Sequence, residues 1–199
     1  MRLIMVRHGE TECDCGQRYW GCSDIKLNDN GLKQAQKLKE RLASEKIDTI
    51  YSSNRIRARK TAEIIAEAHN IEIISCDELN EIDFGKIEGL TFEEISEKYP
   101  KLTEEWLKWS QNLAFPDGEN FEQFNKRILK FIKILEKHAD DKTVLAVGHG
   151  GPFRLILCHL LGIDIKHWWQ FIFGLASITE IDVRPESSVL VKLGEITHK

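Results

Sequence analysis

Short apolar runs alternate along the chain with longer segments in which apolar residues recur every three or four positions. The short runs predict buried β-strands, and the recurring spacing predicts amphipathic α-helices. The predicted strands cover residues 2–7, 48–52, 71–75, 143–148, 177–183 and 188–193. The predicted helices cover residues 31–44, 56–69, 91–99, 103–112, 120–138 and 153–161. This alternation predicts an α/β fold, a three-layer sandwich whose mostly parallel central sheet is flanked by helices on both faces.

The chain is predicted to form a single domain over residues 1–199, because this length suffices for one full hydrophobic core and is short for two. The two small helices belong to an excursion at about 88–118. The last two strands, joined by the turn at 184–187, are expected to form a hairpin. A polar turn at 28–31 precedes the first long helix, and one of its side chains is expected to cap that helix.

The composition is that of an ordinary globular protein, with 42% apolar and 30% charged residues. The net charge of −4 makes duplex nucleic acid an unfavourable partner. No apolar segment approaches the length of a membrane span, and the N-terminus carries no charged leader or cleavage site. We therefore expect a cytoplasmic protein with neither a nucleic-acid nor a membrane partner.

The five cysteines are irregularly spaced, which argues against a disulfide framework and favours reduced thiols. Three of them, Cys13, Cys15 and Cys22, lie close together in the sequence. They lack the paired C-x-x-C spacing of a structural zinc site, and no fourth ligand is evident. We predict that the protein uses no metal and no cofactor.

Two histidines stand where predicted strands end. His8 follows Arg7 at the end of the first strand, and His149 follows the strand at 143–148. A single histidine at a strand end is most often a hydrogen-bonded structural residue. Here both histidines precede a glycine, and the carboxyl ends of parallel strands share one edge of the sheet. The two imidazoles are therefore expected to converge on one ligand.

An arginine near the start of the second helix indicates that this ligand is a phosphate. Arg57 would lie in the first helical turn, where its guanidinium and the helix N-terminus both suit a phosphate. We predict that Arg7, Arg57, His149 and Gly150 bind the phosphate oxygens. Neutral His8 would attack phosphorus, with a backbone carbonyl holding the proton on its other ring nitrogen. Such catalysis rests on positioning and charge stabilisation and requires no metal.

The leaving alkoxide needs a proton, and carboxylates after the third strand can supply it. Glu81 lies between two apolar residues, so partial burial would favour its protonated form and suit it as a general acid. The residues alone do not separate Glu81 from Glu78. Asp83 and Glu88 are expected to be surface or turn charges.

Together these motifs resemble the histidine phosphatase superfamily, the phosphoglycerate mutase-like proteins, over nearly the whole chain. The matching segments, in the order that the family has them, are residues 7–11, 57–62, 81–89 and 148–151. The resemblance implies the phosphoglycerate mutase-like fold and a phosphohistidine intermediate at His8. It selects Glu81 over Glu78 as the proton donor, and it implies a catalytic role for His149.

Thr11 and Asp14 are candidate substrate contacts in or just after the first of these motifs. The family usually has asparagine where this chain has Asp14. Asparagine can donate a hydrogen bond to phosphate, whereas an ionised aspartate only accepts and would repel it. Either Asp14 turns away, or it is protonated, or the substrate binds differently here.

The resemblance also bears on the substrate, a small-molecule phosphomonoester. The family's mutases carry extra segments that this shorter chain lacks, which favours hydrolysis over mutase activity. The stretch at 88–95, Trp106 with Trp109, and the segment at 168–171 resemble the alpha-ribazole phosphatase group of cobalamin biosynthesis. Packing in the core or at the cavity rim explains these aromatic residues equally well.

Three alternatives remain open. They are a phosphoglycerate mutase, which is an isomerase, a broad-specificity phosphatase for sugar phosphates or phosphoserine, and a binder of phosphorylated ligands without activity. Residues 100–118 are a candidate lid or homodimer contact. Residues 168–173 are a second candidate homodimer contact, although core packing is the default interpretation for that apolar segment.

Overall fold

The computed structural model describes residues 1–13, 18–108, 110 and 112–196. The strands within these residues are β1 (Arg2–Arg7), β2 (Thr49–Ser52), β3 (Ile73–Ser75), β4 (Thr143–Gly148), β5 (Ser177–Asp182) and β6 (Val189–Ile196). The α-helices are α1 (Asp29–Leu42), α2 (Ile56–Ala66), α3 (Phe92–Lys98), α4 (Pro100–Leu107), α5 (Phe121–Leu135) and α6 (Gly150–Leu161). Every predicted strand and helix has a counterpart among them.

Two helices begin three residues earlier than predicted, and both have proline in the first turn. Helix α4 starts at Pro100, and α6 starts at Gly150 with Pro152 two residues later. The N–H groups of the first turn have no acceptor within a helix, so proline is tolerated there. The sequence prediction began both helices after the proline, because proline and glycine interrupt helices elsewhere.

The sheet has the strand order β3-β2-β4-β1-β5-β6. Strand β4 runs parallel to β1 and β2, and β2 runs parallel to β3, whereas β5 is antiparallel to β1 and β6. The mostly parallel sheet and the terminal hairpin are therefore confirmed. In this register Arg7 is the partner of Gly148, and Ser52 is the partner of Val147. The carboxyl ends of β1, β2 and β4 consequently lie side by side at one edge.

Apolar residues cover both faces of the sheet, which confirms the three-layer arrangement. Leu3 and Met5 of β1 belong to one buried cluster, and Ile4 and Val6 belong to a second. The first cluster includes residues of α5 and α6, and the second includes residues of α1 and α2. Because side chains alternate across a strand, a helix layer packs on each face. None of the described helices is long and apolar enough to cross a membrane.

The loop after β1 is fixed against the start of α1. Asn28 caps this helix as predicted, since its Oδ1 accepts from the N–H of Gly31 at 2.8 Å. Its Nδ2 donates to Glu10 Oε1 at 2.7 Å. A Cβ at Gly9 would lie 2.6 Å from the Gly31 oxygen, so only glycine allows this approach. These contacts fix the backbone on the carboxyl side of His8.

Candidate active site

The carboxyl edge of the sheet holds a cavity of about 380 Å³. Its wall contains six residues predicted to bind substrate or phosphate or to carry out the reaction, namely Arg7, His8, Thr11, Arg57, Glu81 and Gly150. His149 is fully buried beside His8, and the two ring centres lie 5.1 Å apart. The structure thus brings residues from distant parts of the chain to one place. Asp14 and Cys15 lie outside the described residues.

His8 is almost completely buried and has a fixed ring orientation. Its Nδ1 lies 2.8 Å from the backbone oxygen of Gly9. A carbonyl only accepts, so Nδ1 carries the proton and Nε2 carries a lone pair. Burial, followed by the positive charges of Arg7 and Arg57, holds the pKa of His8 well below its usual value. The imidazole is therefore neutral, as a nucleophile requires.

A second hydrogen-bond network fixes the tautomer of His149. The N–H of Asn54 donates to Asn80 Oδ1 at 2.9 Å, which identifies that atom as an oxygen. The Ser53 hydroxyl donates to the same oxygen at 2.8 Å, so Ser53 Oγ accepts from His149 Nε2, also at 2.8 Å. Among the described residues, His149 Nδ1 has no hydrogen-bond partner. Burial, followed by the charge of Arg57, holds the pKa of His149 well below its usual value.

Backbone carbonyls hold the two predicted phosphate arginines in place. Arg57 is buried at the start of α2, and its guanidinium donates to the oxygens of Trp20, Gly21 and Ser23. Arg7 Nη1 donates to the Phe173 oxygen at 2.6 Å. These carbonyls fix the position of each guanidinium, whose positive charge and planar set of donors suit an anion such as phosphate.

Glu81, and not Glu78, lines the cavity. The half-buried Glu81 carboxylate accepts from the N–H of Gly151 at 3.2 Å and from the N–H of Ile82 at 3.0 Å. Glu78 instead accepts from the Cys76 thiol at 3.3 Å. The geometry thus agrees with the choice that the resemblance made between these two glutamates.

Comparison with known proteins decides the family. The sequence model of the histidine phosphatase superfamily (branch 1) matches residues 3–196. The chain belongs to the histidine phosphatase superfamily. It is a phosphatase of this type, as the motifs predicted.

The relatives of this histidine phosphatase include proteins named for phosphoserine and proteins named for alpha-ribazole. The chain is 37% identical to phosphoserine phosphatase 1 of Hydrogenobacter thermophilus. The alignment spans 198 residues and covers 100% of this chain and 94% of that protein. It is 32% identical to the adenosylcobalamin/alpha-ribazole phosphatase of Salmonella typhimurium, over 92% of this chain and 91% of that protein. The crystal structure of the alpha-ribazole phosphatase from Shigella flexneri matches with a TM-score of 0.91 and 27% identity, over 100% of this chain and 98% of that chain. The predicted phosphoglycerate mutase-like fold is thereby confirmed.

Sequence reasoning about this histidine phosphatase missed Arg154. This residue lines the cavity, its Nε donates to the Phe171 oxygen at 2.8 Å, and its guanidinium lies 6.0 Å from the ring centre of Trp168. Burial lowers the pKa of Arg154, and the negative charge of Glu81 partly opposes that effect. A signal was present in the sequence. Arg154 follows Gly150 by four residues, the spacing that places two helical residues on one face.

The rest of the cavity wall of this histidine phosphatase is mainly aromatic, and sequence reasoning found only part of it. Trp106 and Trp168 are both buried and both line the cavity, so each of them packs in the core and also forms part of the cavity wall. The Trp106 ring stacks on Phe84 and contacts Tyr19, with ring centres 6.1 and 4.8 Å away. Trp109 lies outside the described residues. Tyr19 and Phe84 gave no periodic signal, because their role depends on where the loops that carry them meet.

Proposed function

We propose that this histidine phosphatase hydrolyses phosphomonoesters of small metabolites through a phosphohistidine intermediate at His8. The bond between His8 Nδ1 and the Gly9 carbonyl carries this proposal. It leaves the Nε2 lone pair on a neutral ring whose neighbours in the cavity wall include Arg7 and Arg57. A neutral imidazole beside two guanidiniums combines a nucleophile with the charges that a phosphoryl group needs.

In the first step, His8 Nε2 attacks phosphorus and the bond from phosphorus to the ester oxygen breaks. Arg7, Arg57 and the N–H of Gly150 hold the equatorial oxygens. His149 Nδ1 joins them when the ring takes up a proton beside the phosphate charge. Glu81 gives its proton to the departing alkoxide.

In the second step, a water molecule attacks the phosphohistidine on the side that the alcohol has left. The Glu81 carboxylate takes a proton from this water while the bond from phosphorus to Nε2 breaks. The products are inorganic phosphate, neutral His8 and protonated Glu81. The site is thereby returned to the form that begins the next turnover.

For the leaving group we propose alpha-ribazole, as its 5'-phosphate. The aromatic wall built by Tyr19, Phe84 and Trp106 offers flat apolar surfaces on which a planar heterocycle can stack. Relatives named alpha-ribazole phosphatase support the same choice. Phosphoserine is the second candidate, because the Hydrogenobacter relative is named for it and Arg154 adds a positive charge on the cavity wall.

A substrate screen tests the proposal. Purified protein without added metal is assayed for phosphate release from alpha-ribazole 5'-phosphate, phosphoserine, sugar phosphates and nucleotides, with His8→Ala as the control. We expect turnover that His8→Ala abolishes and a higher kcat/KM for alpha-ribazole 5'-phosphate than for phosphoserine. Isomerisation of 3-phosphoglycerate without phosphate release would indicate the mutase alternative. Phosphate binding without turnover of any substrate would indicate the non-enzymatic binder.

A further inference from the structure

A short loop at residues 20–23 holds the guanidinium of Arg57. The backbone oxygens of Trp20, Gly21 and Ser23 accept from Arg57 at 3.1, 2.9 and 2.9 Å. The guanidinium is planar with donors in fixed directions, so three acceptors set both its place and its tilt. A shift of this loop would therefore move the positive charge relative to the cavity.

The N–H groups of the same loop converge on one carboxylate, that of Glu88. Glu88 Oε1 accepts from the N–H of Gly21 at 2.8 Å and from the N–H of Cys22 at 2.6 Å. Glu88 Oε2 accepts from the N–H of Ser23 at 3.1 Å and also from the Ser23 hydroxyl. These four donors occupy both carboxylate oxygens, and bonds to an ionised acceptor are stronger than neutral ones. Glu88 lies in a turn, as the sequence predicted, but its carboxylate is engaged by this loop, whereas Asp83 accepts within its own turn, from the N–H of Gly85.

We infer that Glu88 is a positioning residue that fixes the 20–23 loop so that its carbonyls hold Arg57 against the phosphoryl group. The loop has no helix or strand to define its shape, and the Glu88 bonds hold three consecutive N–H groups of it, while Arg55 Nη1 adds one bond, to the Cys22 oxygen. Its fit is close, since a Cβ at Gly21 would lie 2.0 Å from the Ile82 oxygen and 2.8 Å from Glu88 Oε1. The inference rests on the proposed function, in which Arg57 binds the transferred phosphoryl group.

A metal site would be the competing explanation for this carboxylate. Ligand atoms of Cys22, Asp83 and Glu88 lie within 4.8 Å of one another. However, Glu88 already accepts four hydrogen bonds, and burial raises the pKa of the Cys22 thiol to about 11. The protonated sulfur also accepts from Arg55 Nη2 at 3.1 Å. A thiol that keeps its proton is a poor metal ligand, so the hydrogen bonds to the loop explain the cluster better.

The decisive variant is Glu88→Gln, which keeps the side-chain length but replaces one acceptor oxygen by a donor. The amide can serve only one of the two pairs of loop donors. We expect inorganic phosphate to bind about tenfold more weakly and KM to rise by a similar factor, since several charge-assisted bonds that orient Arg57 are lost. Ser23→Ala removes the hydroxyl bond alone and should have a smaller effect in the same direction.

Two comparisons separate positioning from general destabilisation. Glu45→Gln is the matched control, because Glu45 is also half-buried and has both carboxylate oxygens engaged, but its partners are Arg2 and Arg41 and not the 20–23 loop. It should leave phosphate affinity unchanged. In an Arg57→Lys background, Glu88→Gln should change phosphate affinity by less than about twofold, because the guanidinium that Glu88 positions has been removed.

The outcomes distinguish this inference from the function on which it rests. If wild-type protein turns over phosphomonoesters but folded Glu88→Gln binds phosphate as tightly as wild type, the positioning role is overturned and the proposed function stands. Additive effects of the two substitutions, or an equal loss in Glu45→Gln, would also overturn it. If wild-type protein neither binds phosphate nor turns over any phosphomonoester, both proposals fail together.

Discussion

The backbone of Gly151 lies so close to Glu81 that a Cβ at residue 151 would be 2.1 Å from Glu81 Oε1. The Gly151 N–H also donates to Glu81 Oε2. The first turn of α6 therefore both leaves room for the proposed acid and orients it.

Gly151→Ala should displace the Glu81 carboxylate and lower kcat/KM for alkyl phosphates by about ten- to a hundredfold, because kcat/KM reports the first step, in which Glu81 must be correctly placed to act as the acid. The loss should be smaller for p-nitrophenyl phosphate, whose leaving group needs less protonation. Steady-state kinetics with both substrates check this, and Glu81→Gln should reproduce the pattern. Equal losses on the two substrates would show that the substitution acts elsewhere.

The buried histidines should make stability depend on pH. The pKa values of His8 and His149 are held well below the usual 6.5, by burial first and by arginine charges second. Below about pH 6.5 the unfolded chain takes up protons that the folded site refuses, so the free energy of unfolding falls as the pH drops, until the folded pKa is reached. Each histidine contributes a slope that approaches about 1.4 kcal/mol per pH unit once the pH is well below 6.5.

Urea unfolding at pH 7.5, 6.5 and 5.5 measures this slope. His8→Asn and His149→Asn should each remove about 1.4 kcal/mol of the stability lost between pH 7.5 and 5.5, which is one histidine's share. Comparison with wild type removes the contribution of the carboxylates, which titrate alike in all three proteins. A slope unchanged in both variants would contradict the assignment of neutral, buried imidazoles.

Ser53→Ala should leave His149 Nε2 without its acceptor. We expect a loss of about 1–3 kcal/mol in the free energy of unfolding, the cost of an unsatisfied buried polar group. Nitrogen-15 NMR of the imidazole should also show the Nε2-protonated tautomer in wild type and a changed tautomer population in the variant. Ser52→Ala is the control, since the buried Ser52 hydroxyl donates to the Ser53 oxygen and does not contact His149. The control should keep the wild-type tautomer.

Arg154→Met should separate the two proposed substrates. Its Nε is engaged by Phe171, whereas no hydrogen bond from its Nη atoms is found among the described residues. A carboxylate on the leaving group would pair with these donors, so KM for phosphoserine should rise by about tenfold and KM for phosphates with a neutral leaving group should change little. Arg184→Met, at an exposed site, is the control. Equal effects on both substrate types would argue against pairing with a carboxylate.

The fold could be predicted from the sequence because its signals are local. Strands β1 and β4 are short apolar runs that end in Arg7-His8 and in Gly148-His149. Parallel pairing brings such strand ends together whatever the loops do. The same logic predicted that His8, His149 and Arg57 converge. The single-domain organisation, the homodimer and the cytoplasmic location stay predictions.

What could not be predicted depends on contacts between loops. Glu88 looks like any charge in a turn until the 20–23 loop lies against it. Tyr19 and Trp106 face one another although they are 87 positions apart in the sequence, and the helical pattern around Trp106 does not indicate this contact. Glu81 and Glu78 differ in the structure because only Glu81 lies beside the first turn of α6. Local sequence patterns carry no information about contacts between residues that lie far apart in the sequence.

The register pairing of Arg7 with Gly148 has a consequence for how the enzyme becomes active. The two histidines are adjacent because β1 pairs with β4, and β1 lies between β4 and β5, strands that come from the far half of the chain. No contiguous fragment that ends before β4 contains both imidazoles. The return of turnover during refolding should therefore report formation of the central sheet. Measuring this activity over time would follow the pairing of strands that lie far apart in the sequence.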